Sequence, residues 1–292
     1  PAVSRARRFA GPGVGRRADM LAFVTTHART AGIERRALIR RPSPRLDAGL
    51  VTHQERVPVD VDAALDQWHG YVSALTETGW TTVNVDPADE CADSVFVEDT
   101  VVMIDEIAVL TRPGAATRRD ETAGTEKAVR DLGYDVLAMT GPGTLDGGDV
   151  LKVGDVVYVG RGGRTDAAGL AEFRRLVEPL GKRVIGVPVT KVLHLKSAVT
   201  ALPDSTIIGC PSLVDDPSFF PHFRPVPEET GSHVVDLGDG RLLMAASAPR
   251  SADLLADLGY TPVPVDISEF EKLEGCVTCL SVRLRHRPRS GE

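Results

Sequence analysis

The sequence predicts an α/β fold in which about five strand–strand–helix–strand units form a ring. Three observations predict it. A phrase recurs as TETGWTTVNVD, RDLGYDVLAMT, EPLGKRVIGVPVT and ADLGYTPVPVD, each time with a helical lead, a glycine stop and a short apolar strand. Between these phrases lie apolar runs that read as strand, polar turn, strand. The glycine stops, Gly79, Gly133, Gly181 and Gly259, are 54, 48 and 78 residues apart, so the last interval has room for a further, degenerate unit.

The first unit takes a strand from ALIRRP, a helix from DAALDQWHGYVSALTET and a strand from the residues after Gly79. The second begins with the hairpin VFVEDTVVMIDEIAVLTRP and continues through the helix ETAGTEKAVRDL. GDVLKVGDVVYVGRG and TDAAGLAEFRRLVEPL supply the hairpin and helix of the third. In the fourth, HLKSAVTALPDSTIIGC is the hairpin, DPSFFPHF a short degenerate helix and RPVPEE the start of its strand. VVDLGDGRLLMAAS and SADLLADL build the fifth. CVTCLSVRL then pairs with ALIRRP and closes the ring from the two ends of the chain. Alternating strands and helices in an open parallel sandwich are the rival, but adjacent strand runs with short polar turns favour hairpins.

Charge separates the chain into two regions. Residues 1 to 45 hold eleven of the 34 basic residues, all arginine, and two of the 41 acidic ones, leaving 23 basic and 39 acidic residues for the rest. An acidic body suits a small cationic substrate and argues against nucleic acid, whose counterions a basic surface must replace. Residues 1–35 lack a hydrophobic period and read as a disordered or mis-called extension, with a basic targeting arm as the functional alternative. Residues 36–292 read as one domain, expected as a monomer or homodimer. No apolar run approaches the roughly 20 residues of a membrane-spanning helix. Four cysteines in 292 residues make no disulfide framework, and a reducing cytoplasm is the expected setting.

Cys276 and Cys279 stand in C-x-x-C spacing. Read as a strand, CVTCLSVRLR sends positions three apart to opposite faces, so the two sulfurs are not expected to converge on one metal ion. No second pair with ligand spacing accompanies them, and a redox motif would open a helix rather than continue as a strand. Inert burial is the ordinary reading for Cys91, Cys210 and Cys276. Cys279 has possible company in His194 of HLKS and Asp146 of LDGGD, which together offer a nucleophile, an acid/base and an orienting carboxylate. DSVFVEDTVV places Asp93, Glu98 and Asp99 within seven residues of an apolar strand-like run, where carboxylates need a cation or hydrogen bonds. Arg118 and Arg164, after the following strands, suit carboxylate capture.

FVEDT, TRPGAATR, LDGGDVL with downstream GRGGRT, HLKS and TCLS, in this order, resemble dimethylarginine dimethylaminohydrolase, from about ALIRRP to the C-terminus. The resemblance implies a five-bladed α/β propeller of ββαβ units with pseudo-fivefold symmetry. It implies Cys279 as nucleophile, His194 as general acid/base and Asp146 as its orienting acid. Glu98 and Asp99 then bind the guanidinium, Asp93 the α-amino group, and Arg118 and Arg164 the α-carboxylate. Leu273 and Glu274 touch substrate, and a lid lies around PSPRLDAGL. The implied reaction is hydrolysis of methylated arginine to citrulline through a cysteine thiouronium, with no metal or organic cofactor. The alternatives are an arginine deiminase or amidinotransferase, both longer chains, and a non-catalytic binding protein on the same fold.

Overall fold

The computed structural model describes residues 35–288, so the reading of residues 1–34 as an extension lies outside the described residues. The first unit is β1 (Arg36–Ile39), α1 (Val61–Glu77) and β2 (Thr81–Asn84); the second is β3 (Val101–Ile104), β4 (Ile107–Leu110), α2 (Glu121–Asp131) and β5 (Asp135–Ala138). The third is β6 (Val150–Val153), β7 (Val156–Arg161), α3 (Ala167–Val177) and β8 (Arg183–Pro188). In the fourth, β9 (Val199–Ala201) and β10 (Ile207–Gly209) lead through a 3-10 turn at Pro217–Phe219 to β11 (Phe223–Pro225), so the degenerate helix is a single turn. β12 (Val234–Gly238), β13 (Arg241–Ala245), α4 (Pro249–Asp257) and β14 (Thr261–Val265) make the fifth, followed by α5 (Ser268–Glu271) and β15 (Val282–Leu284).

The second, third and fifth units fold for the same local reasons. A tight turn brings the first two strands together antiparallel, and the helix returns the chain so that the third strand lies parallel to the second. The helices of the first, second and fifth units and the short turn after α3 end on Gly79, Gly133, Gly259 and Gly181, all at φ between 82° and 90°, where a side chain would clash with its own backbone. The result is five three-stranded sheets.

Strand alternation makes the sheets a ring. Successive residues of one strand enter different cores: Val101 and Met103 pack with Leu38 and Leu284 of the first sheet, whereas Val102 and Ile104 pack with Val150 and Val157 of the third. Leu151 and Tyr158 carry the pattern to Ile207, and Ile208 carries it to Leu242 and Met244. Leu243 and Ala245 then meet Ala37 and Ile39. Five sheets therefore share five cores, and the last returns to the first. This is a five-bladed α/β propeller. Its closure is strand addition: β15 pairs antiparallel with β1, in register Leu38↔Val282 and Arg36↔Leu284.

Candidate active site

Two sequence expectations of local structure do not hold. FVEDT is not a strand; Val97–Thr100 form a 3-10 helix that leads into β3, because Val95 and Phe96 enter one core while Val97 enters the next. CVTC is not a strand either. Cys279 N–H donates to Cys276 O at 3.0 Å, closing a turn. The nearby carbonyls are held by distant groups: Val277 O by the Tyr71 hydroxyl (2.9 Å), Thr278 O by Arg283 (2.9 Å) and Cys279 O by Glu98 N–H (3.2 Å). None of these carbonyls is in a strand ladder. The two sulfurs therefore lie together, 3.2 Å apart, and the argument that alternation separates them is overturned.

These turns repeat around the ring. Short 3-10 segments stand just before β3, β6, β9 and β12, and the Cys276–Cys279 turn stands just before β15. Four of the five positions carry the expected chemistry: Glu98 and Asp99, Asp146, His194, and Cys279. Hydrogen bonds join neighbours. Gly148 N–H donates to Asp99 Oδ1 (2.8 Å), and Leu195 N–H donates to Asp149 Oδ1 (2.9 Å). A Cβ on Gly148 would stand 2.6 Å from His194 Nδ1 and 2.7 Å from Asp99 Oδ1, so only glycine allows this approach.

Asp93, Asp99, Arg118, Arg164, His194, Leu273, Glu274 and Cys279 line one small pocket of about 10 Å³, together with Leu50. His194 Nε2 is 3.0 Å from Asp146 Oδ2, and Nδ1 is 3.9 Å from Asp99 Oδ1. Burial alone would lower the imidazole pKa, but Asp99, Asp146 and Asp149 outweigh it and raise it to about 9. The ring is thus cationic at neutral pH. Asp146 is fixed in turn by Gly114 N–H at 2.7 Å. Asp99 is buried, yet His194 and Arg118 hold its carboxyl down at about 2. Asp99, Asp146 and His194 offer ligand atoms within 4.8 Å of one another. The Nε2 of His194 is already engaged with Asp146, and the ring carries a proton, which suits acid catalysis better than metal ligation.

The two arginines differ. Arg118 binds Asp99 (2.6 Å) and grips Glu121 through two nitrogens (3.0 and 2.8 Å), and it also donates to the carbonyls of Asp93 and Phe96. Arg164 Nη1 is buried with no hydrogen-bond partner and stands 3.7 Å from Asp146. An orphaned buried guanidinium nitrogen is costly until an anion reaches it. Glu98 sits in the adjacent wall, where Oε1 pairs with Lys196 (2.6 Å) and Arg283 (3.1 Å) while its buried Oε2 has no hydrogen bond. That wall borders a separate, larger cavity of about 430 Å³ that includes Lys152, Lys196, Arg283 and Arg285 in its lining. We assign the chemistry to the smaller pocket, because the cysteine and histidine face it.

Three contacts cover the pocket from the last residue of the segment where the lid was expected, Leu50, and from Thr52 and His53 just beyond it. Leu50 N–H donates to Asp93 Oδ1 at 3.0 Å, and Thr52 N–H (3.0 Å) and His53 N–H donate to the Glu274 carboxylate. Glu274 itself sits at φ 60°, an uncommon backbone for a side chain of its size. Sequence reasoning missed Glu121, Lys196 and Arg283; Lys196 lies within HLKS, but nothing local marks the other two.

No family model matches the chain. A dimethylarginine dimethylaminohydrolase of Streptomyces coelicolor is 67% identical over 251 residues, 86% of this chain and 97% of that protein. The chain belongs to the dimethylarginine dimethylaminohydrolase family. Among solved dimethylarginine dimethylaminohydrolases, a Pseudomonas aeruginosa cysteine-to-serine mutant in complex with citrulline superposes with a TM-score of 0.79 at 33% identity. A histidine-to-glycine variant, solved as an adduct with S-methyl-L-thiocitrulline, gives 0.80 at 33%. Both alignments cover 85% of this chain and 98% of the other.

Proposed function

We propose that this member of the family hydrolyses asymmetric dimethylarginine and monomethylarginine to L-citrulline, with Cys279 as nucleophile, His194 as acid and base and Asp146 as its orienting group. One observation carries the assignment of roles: a cationic histidine, clamped by a buried carboxylate, shares a small, acid-lined pocket with a cysteine.

The free pocket keeps the nucleophile protonated. Its hydrogen bond with Cys276, its burial and the charges of Glu98 and Asp99 raise the Cys279 thiol above the ordinary range. A guanidinium beside Asp99 and the free Oε2 of Glu98 reverses that field and favours the thiolate. Arg164 Nη1 takes the α-carboxylate and Asp93 the α-amino group. The thiolate attacks the guanidino carbon, and His194 gives its proton to the departing amine. His194 then accepts a proton from the water that attacks the thiouronium, which releases citrulline and the thiol. No step requires a metal or organic cofactor. A reducing cytoplasm suits the free nucleophilic thiol, and a monomer or homodimer suits a pocket built wholly within one chain.

Citrulline formation from arginine, monomethylarginine and asymmetric dimethylarginine, measured side by side, tests the reading. The methylated substrates are expected to dominate, and Cys279→Ser to abolish turnover. Ammonia release from arginine as the main activity would replace the reading with a deiminase.

A further inference from the structure

The proposed hydrolysis needs one sulfur, yet the structure holds two in contact. We infer that Cys276 and Cys279 form a modification site for small hydroperoxides, at which the two thiols become a disulfide that reversibly removes the nucleophile. The inference rests on Cys279 being the nucleophile.

Geometry favours the linkage. The sulfurs are 3.2 Å apart, and both cysteines are buried. They are the first and fourth residues of a hydrogen-bonded turn, which holds their Cα atoms within about 7 Å. Disulfides span Cα separations of about 4.4–6.8 Å. A small side-chain rotation suffices, and the carbonyl bonds to Tyr71, Arg283 and Glu98 need not break.

The two sulfurs have different access. Cys279 lines the substrate pocket, whereas Cys276 lies behind it in the core shared by the first and fifth sheets. A small hydroperoxide that enters the substrate pocket meets Cys279 before Cys276. Cys279 therefore reacts first. Cys279 passes its proton to the Cys276 sulfur across their 3.2 Å contact, and the resulting thiolate attacks one peroxide oxygen; an S–O bond forms, the O–O bond breaks, and the departing hydroxide takes the proton from Cys276 to give water. Sulfur is oxidised by two electrons and peroxide is reduced. Cys276 then attacks the sulfenic sulfur, the S–S bond forms, and the second hydroxide leaves and takes a proton to give water. The overall change is two thiols and one hydrogen peroxide to one disulfide and two waters.

The surroundings equip Cys276 for the second step. The S–H of Cys279 and the nearby His233 favour its thiolate, which lies at about 5 despite burial. Thr278 Oγ1, 3.2 Å from the Cys276 sulfur, is a further donor. The resolving sulfur is thus in place before the sulfenic acid forms, ahead of a second peroxide.

The full-length enzyme exposed to hydrogen peroxide, alkylated and digested, tests this. The peptide carrying both cysteines is expected to lose two hydrogens as turnover falls, and dithiothreitol is expected to restore both. Cys276→Ser and Cys276→Ala are expected to retain most basal turnover before treatment, and after it to gain two or three oxygens on Cys279 and to recover less than about a tenth of their lost turnover. Oxygens accumulating on Cys279 of the wild type while Cys276 stays alkylatable would overturn the inference, as would full recovery of either variant. The underlying reading fails separately, if untreated Cys279→Ser still forms citrulline.

Discussion

At the scale of single residues, the site is governed by charge at close range. His194 has its pKa raised from 6.5 to about 9. A raised folded-state value means that its stabilising contribution is complete below about pH 6.5 and lost as pH rises through about 9. Melting temperature is therefore expected to fall across that window, and His194→Asn to flatten the profile while lowering kcat by about 10²–10⁴-fold. Asp99, lowered from 3.8 to about 2, has the opposite sign: its contribution is present above about pH 3.8 and lost as acid is added through pH 2. Arg118 marks the limit of carrying a role over by resemblance alone. Its position in TRPGAATR was legible, but its grip on Glu121 was not, since nothing in ETAGTEKAVRDL distinguishes a buried acid from a solvated one. Arg118→Met leaves Asp99 and Glu121 buried without their cation and is expected to cost about 3–5 kcal/mol. Urea denaturation measures that loss; an unchanged midpoint with only a raised KM would make Arg118 a substrate contact and nothing more.

At the scale of elements, the helices and second strands were legible because their patterns are local. Apolar spacing marked α1 to α4, and a glycine marked the stop that follows each helix, with a short turn between α3 and Gly181. The turns that carry the chemistry were misread as strands for one reason: their apolar residues divide between two cores, and their backbone groups pair with distant side chains. A period of two cannot separate Phe96, which faces the first and fifth sheets, from Val97, which faces the first and second. The doubled glycine of LDGGD did give the right signal, close backbone approach. Gly148→Ala drives a methyl toward both His194 and Asp99, so it is expected to displace the histidine and lower kcat by at least about 10²-fold. Far-ultraviolet circular dichroism should stay unchanged, and a wild-type kcat would show that the approach has slack.

At the scale of the whole domain, a ring has no free end to fray until its closing strand leaves. The recurring phrases revealed the units, and the pairing of the two chain ends followed from counting strands, but the closure is far smaller than CVTCLSVRL suggested. It rests on three residues, Val282–Leu284. Val282 and Leu284 sit in the core between the first and second sheets, and Arg283 turns the other way to hold Glu98 and the carbonyls of Thr278 and Ser281. One short strand thus fastens the ring and braces the nucleophile turn together. Leu284 is 1% exposed, and Leu284→Ala is expected to cost about 2–5 kcal/mol. Because adjacent sheets share every core, that loss should appear as one cooperative transition moved to lower temperature. Ending the chain at Ser281 removes both core residues and the brace, and is expected to abolish the cooperative melt. Deleting residues 1–30, which the sequence reads as an extension, is expected to leave melting temperature and turnover intact. Calorimetry on the three proteins checks the argument, and a truncated chain that melts like the wild type would show that the first sheet holds without its closing strand.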